Sequence, residues 1–136
     1  MKNLSVEKKD NGVAVVTIDC PDSKVNKVSS GLLAEISSLL DDIGKDNTIK
    51  AMVILSGKDD NFVVGADVDE LNAMKSRDEV ITYITKAHTV LKRIEALPFP
   101  VVCGIHGNCL GGGLELALVT DYRIASDSPK IGRAHV

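Results

Sequence analysis

The chain has 136 residues, 44% of them hydrophobic and 26% charged, with a formal net charge of −3. That is the make-up of one soluble globular domain with a modest core. It excludes a basic nucleic-acid-binding stripe, and no apolar run approaches the ~20 residues of a membrane span.

The first residues, MKNLSVEKKDNG, are too polar for a signal peptide and too acidic for a transit peptide. The cysteines Cys20, Cys103 and Cys109 are odd in number and lack C-x-x-C spacing, which argues against a disulfide framework and a zinc site. A reducing bacterial cytoplasm is the expected compartment, with the mitochondrial matrix as the alternative.

The chain opens as a hairpin. Leu4, Val6 and Lys8 alternate with other residues, and Asp10-Asn11-Gly12 supplies the positive φ angles of a tight turn. Residues 13–18 form the β-branched return strand. A loop over residues 21–27 leads to a helix over residues 29–43. Its face is Leu32, Leu33, Ile36, Leu39, Leu40 and Ile43, and Gly44 suits its C-terminal cap. Residues 51–55 read as a short buried strand, and residues 58–69 as a loop with an apolar centre. The next helix has a capping box, Ser76 with Glu79, and ends before Pro98 and Pro100. Its expected buried stripe is Val80, Ile81, Ile84, Ala87, His88, Leu91 and Ile94. A buried strand over residues 101–105, a glycine run, a helix over residues 114–119 and a strand over residues 122–125 complete the pattern. The order β-β-α-β-α-β-α-β implies a layered α/β fold.

Chemistry concentrates in two segments. In the first, Gly111, Gly112 and Gly113 stand between a buried strand and a helix. Glycine lets a ligand approach the backbone, and a helix start offers unpaired N–H groups. Glu115 lies one turn further on, so a carboxylate accompanies a site for a negative oxygen, as proton transfer α to a carbonyl requires. The second segment is Val64-Gly65-Ala66-Asp67, another small-residue turn whose N–H groups supply the other half of an oxyanion pocket. The spacing is neither the dinucleotide G-x-G-x-x-G nor a P-loop.

Phe62-Val63-Val64-Gly65-Ala66-Asp67 and Ile105-His106-Gly107-Asn108-Cys109-Leu110-Gly111-Gly112-Gly113-Leu114-Glu115 together closely resemble the crotonase, or enoyl-CoA hydratase/isomerase, superfamily. The resemblance extends through Pro98-Phe99-Pro100-Val101-Val102 and Asp121-Tyr122-Arg123-Ile124-Ala125-Ser126, over roughly residues 4–130. It implies the crotonase-like α/β fold of repeated β-β-α units, of which residues 1–130 would be the N-terminal part only. The segment Pro21-Asp22-Ser23-Lys24-Val25-Asn26 looks most like the hydratase domain that opens the multifunctional fatty-acid β-oxidation complex.

What the resemblance implies is specific. The amides of Ala66 and Gly112 would hold the thioester oxygen of an acyl-CoA, flanked by Gly65, Gly111 and Gly113. Glu115 would be one of two glutamates that activate water and exchange protons with the substrate. Lys24, Val25 and Asn26, with the backbone at Asp67 and Val68, would lie along the CoA moiety. The reaction would hydrate a 2-enoyl-CoA to a 3-hydroxyacyl-CoA without metal or redox cofactor. NAD would enter only with a following dehydrogenase domain. The full-length form would be a homo-oligomer or part of a thiolase-containing complex.

The sequence departs from the family after Lys130. The second glutamate, which hydratases carry in a Leu-Pro-Glu stretch, is absent. The run Ile131-Gly132-Arg133-Ala134-His135-Val136 is the translation of ATC GGA AGA GCA CAC GTC, a common sequencing-adaptor string. Residues 131–136 are therefore expected to be a non-native tail.

Several residues have two readings. Cys109 is a nucleophile or a small packed residue, and no base partner is placed beside it. His106 is expected to make a structural hydrogen bond, and His88 to be a satisfied core histidine. Asp67, Asp69 and Glu70 suit Mg²⁺ or, as ordinary acids, a helix start. For the domain as a whole the alternatives to hydratase are a crotonase-type isomerase and a non-catalytic CoA-binding or assembly module.

Overall fold

The structure, a computed structural model, describes residues 1–127 and the backbone of residues 131–133. Strand β1 (Leu4–Lys8) turns back antiparallel on β2 (Val13–Ile18), pairing Leu4 with Ile18 and Lys8 with Ala14. Gly12 makes the turn at φ +87°, and a Cβ there would lie 2.7 Å from the Thr48 carbonyl oxygen.

Helix α1 (Ser30–Gly44) begins at Ser29, whose side chain accepts from the Leu32 N–H at 3.1 Å. All six residues of the face read from the sequence are buried. They form one core with Val16, Ile18, Met52 and Ile54 of the sheet. Gly44 is the last helical residue and not the cap. Lys45 caps the helix in right-handed conformation, so no left-handed glycine is needed.

Two further β-β-α passes follow: β3 (Ala51–Ser56), β4 (Asn61–Val63), α2 (Val68–Ala73) and α3 (Arg77–Glu95), then β5 (Val101–Ile105), β6 (Asn108–Leu110) and α4 (Gly112–Leu118). Strands β7 (Tyr122–Ala125) and β8 (Ile131–Arg133) begin another. The long strands line up as β1-β2-β3-β5-β7, parallel from β2 onward, and the short ones as a second parallel sheet, β4-β6-β8. The chain thus coils, one long strand, one short strand and one helical segment per turn. This is the layered α/β arrangement of repeated β-β-α units expected from the motifs. Of the six-residue tail, only the backbone of Ile131–Arg133 is described, as β8; residues 134–136 lie outside the described residues.

Three described elements were not legible as elements. The loop expected at residues 58–69 contains β4 and the start of α2, and β6 sits inside the glycine motif. The stripe expected on α3 is also corrected. The buried residues are Tyr83, Val90 and Ile94, whereas Ile81 and Ile84 are 47% and 44% exposed and His88 is exposed. The apolar surface of α3 is wider than one face, and packing on α1 selects the line through Tyr83. His88 is therefore not a core histidine.

Candidate active site

Each half of the site is a turn from a short strand into a helix. After β4, Gly65 takes φ +117°, and Asp67 caps α2 by accepting from the N–H groups of Asp69 and Glu70 at 3.1 and 3.2 Å. Val28 lies alongside. Its N–H donates to the Gly65 carbonyl at 2.7 Å, and its carbonyl accepts from Asp67 at 3.4 Å. A parallel bridge of this kind uses the residues flanking Ala66, so the N–H of Ala66 itself points away from Val28.

After β6, Gly111 takes φ +51° and leads into α4, where the Glu115 N–H donates to the Gly111 carbonyl at 3.0 Å. Gly113 is pressed on β4 so closely that a Cβ would sit 2.0 Å from the Val63 carbonyl oxygen. That contact brings the two turns together. A Cβ on Gly65 would lie 3.7 Å from the Gly112 nitrogen, and one on Gly112 would lie 3.8 Å from the Gly65 Cα.

Ala66, Gly112 and Glu115 consequently line a single cleft of about 160 Å³. Its remaining wall is mostly apolar, from Val28, Leu32, Leu33 and Ile36 on one side and Tyr83, Ala87 and Leu91 of α3 on another, with His88 of α3 also on it. Glu115 is exposed, and its carboxylate accepts no hydrogen bond from the described residues. Small ligand sites are typically concave and apolar with a few converging polar groups, and this cleft has that composition. A carbonyl held by backbone N–H groups beside an unpaired carboxylate is a geometry for exchanging protons next to that carbonyl.

The other residues singled out in the sequence fall elsewhere. Gly111 and Gly113 support the turn from behind, and Val68 is 62% exposed at the start of α2. Lys24 and Val25 line a separate depression with Asp19, Lys58 and Asn61. Asn26 is fully buried: its Oδ1 accepts from Cys20 N–H at 2.9 Å, and its Nδ2 donates to Ile18 O, Ser56 Oγ and Phe62 O. Its backbone is engaged as well, the N–H donating to Asn61 Oδ1 at 2.8 Å and the carbonyl accepting from the Val64 N–H at 2.9 Å, so the residue shapes the loop from inside. Lys58 anchors the same loop, with its ammonium on the Cys20 and Ser23 carbonyls at 2.6 and 2.7 Å and on the Asp19 carboxylate at 2.7 Å.

His106 makes a structural bond, its Nε2 donating to the Lys58 carbonyl at 2.6 Å. Cys109 is completely buried, and burial, with the neighbouring Cys103, pushes its thiol up to about 11. Such a thiol is a packed residue, not a nucleophile. Asp67 and Glu70 act as caps, Glu70 accepting from the backbone and hydroxyl of Ser30 at the start of α1. The sequence reading missed Val28 and Tyr83. A tyrosine seven and eleven residues before Val90 and Ile94 was the available signal, because a buried hydroxyl requires an acceptor.

With fold and cleft defined, comparison with known proteins gives the class. The family model described as enoyl-CoA hydratase/isomerase matches residues 8–136, and the chain belongs to that family. Among curated proteins it is similar to the fatty acid oxidation complex subunit alpha of Shewanella baltica (strain OS155), 42% identical over 129 residues, and to that of Shewanella frigidimarina at 41%. Those alignments cover 95% of this chain and 18% of each relative, so the chain spans under a fifth of their length. The solved enoyl-CoA hydratase from Bacillus anthracis superposes with a TM-score of 0.86 at 30% identity, over 93% of this chain and 48% of that one. The enoyl-CoA hydratase from Mycobacterium smegmatis gives 0.87 at 25% identity, over 94% and 49%.

Proposed function

We propose that the cleft binds the thioester of an acyl-CoA and that the complete domain hydrates a 2-enoyl-CoA to the 3-hydroxyacyl-CoA. The observation that carries this reading is the meeting of the Gly65 and Gly112 turns beside Glu115 in one apolar cleft. The N–H groups of Ala66 and Gly112 would hold the thioester oxygen as it gains charge. Glu115 would exchange a proton with water or the adjacent carbon, and the apolar wall would receive the acyl chain. Lys24, Val25 and the backbone at Asp67 and Val68 would follow the CoA portion. The reaction draws on no metal or redox cofactor.

Glu115 is the one acidic residue lining the cleft among the described residues. Hydration in this family pairs two glutamates, so the 136-residue chain is expected to bind substrate and turn it over poorly. In a protein extended to the full domain, enoyl-thioester absorbance should fall on mixing with substrate. Glu115→Gln should lower kcat on the order of 10²–10⁴-fold, the usual cost of losing an acid–base group. Binding with no absorbance change in the extended wild type would instead favour a non-catalytic CoA-binding module. The single carboxylate favours a second reading, isomerisation of a 3-enoyl-CoA, because one base can carry a proton between two carbons. Conversion of 3-enoyl- to 2-enoyl-CoA by the short chain would select it.

A further inference from the structure

Val28 joins both halves of the site. Its backbone holds the turn carrying Ala66, and its Cγ2 lies 3.2 Å from where a Cβ on Gly112 would be. Yet residue 28 belongs to no strand, and its one ladder contact is the bridge to Ala66. The Asp67–Val28 bond, at 3.4 Å, is long for an N–H···O contact and therefore weak. A second donor reaches the same carbonyl, the hydroxyl of Tyr83 from α3. A carbonyl oxygen has two lone pairs, so both bonds coexist. The Tyr83 ring is 8% exposed and forms part of the cleft wall.

We propose that Tyr83 is a positioning residue of the thioester site: its hydroxyl fixes the Val28 carbonyl, and through Val28 it aims the Ala66 N–H at the ligand oxygen. This rests on reading the cleft as a thioester site. Burial raises the Tyr83 phenol above its ordinary range, and the Glu70 and Asp67 carboxylates raise it further, so the group remains a donor throughout the neutral range. Without it the Val28 carbonyl keeps only the long bond, and the turn is free to rock about Gly65. The direction of the Ala66 N–H then scatters while the apolar wall stays in place.

The test compares a saturated acyl-CoA with its thioether analogue, in which a methylene replaces the carbonyl, binding to the purified chain by titration calorimetry. The ratio of the two dissociation constants isolates the oxygen. The wild type is expected to favour the thioester about tenfold, as for two ordinary hydrogen bonds. Tyr83→Phe keeps the ring and should cut that ratio about threefold or more, with thioether affinity unchanged. Ile94→Val, a buried residue of the same helix outside the cleft wall, should keep the full ratio. Should Tyr83→Phe not fold, 3-fluorotyrosine at position 83 provides a stronger donor of the same shape and should raise the ratio. A wild-type ratio that survives Tyr83→Phe overturns the assignment. So does an equal loss of affinity for both ligands, or a ratio lowered by the fluorinated residue. A wild-type chain that binds the two ligands equally removes the thioester reading itself, and the role of Tyr83 with it.

Discussion

Gly113 touches no ligand position directly, yet the site depends on it. With 2.0 Å between a notional Cβ and the Val63 carbonyl oxygen, even alanine must force backbone apart. Gly113→Ala is expected to lower stability by about 1–3 kcal/mol, as overpacking does, and to weaken acyl-CoA binding, measured by thermal melting and titration. Asn26 is the polar counterpart. Asn26→Ala would leave the Cys20 N–H without its acceptor, a cost of about 1–3 kcal/mol in a buried setting, and would take one donor each from the Phe62 carbonyl and from the Ile18 carbonyl, which keeps the Gly57 N–H at 2.8 Å. A melting temperature within a degree of wild type would contradict that account. Cys109 bears on pH. Its thiol is raised from 9.0 to about 11 in the folded chain, so the unfolded form ionises first as pH rises. Its contribution to stability is therefore complete below pH 9 and is lost between pH 9 and about 11. Denaturant titrations across that window should show stability falling, with a shallower fall in Cys109→Ala.

Among the elements, α3 shows how local signals and packing divide the work. Its start is written in Ser76, whose side chain accepts from the Glu79 N–H at 3.2 Å while Glu79 accepts from Lys75. Ser76→Ala should cost about 1 kcal/mol, read as a shift in denaturation midpoint. Its facing was not written so plainly, since Val80, Ile81, Ile84, Ala87 and Leu91 offer more apolar surface than one neighbour can cover. The buried face of helix α1 was legible because its six apolar residues form a single stripe. Strands β4 and β6 have three residues each, too few to display a period, and α2 buries no residue and so has no stripe. The glycine turns and Glu115 were legible as chemistry because a carboxylate beside small residues has few structural reasons to exist. Val28 was not, because an apolar residue acting through its backbone leaves no mark in the sequence.

Taken as a whole, the molecule covers one face of its parallel strands and leaves the other partly open. Parallel sheets are normally buried on both faces. On the open face, register places Val53, Val102 and Tyr122 in one row and Gly104 and Ile124 in another, with Tyr122 and Ile124 each 70% exposed. Solubility should therefore be limited by this surface. Ile124→Lys is expected to raise the concentration reached before precipitation while leaving the melting temperature nearly unchanged, because the side chain it replaces is already in water.

The Gly65 and Gly112 turns belong to successive coils of the chain, and neither coil has a binding site alone. A molecule seated across both would act as a rivet, strengthening the seam between coils with the logarithm of its concentration relative to Kd. Amide exchange in β4 and β6 should then slow together when ligand is added, while exchange in the distant β1–β2 hairpin changes less. Recognition by this chain and the docking of its coils would be one equilibrium observed from two sides.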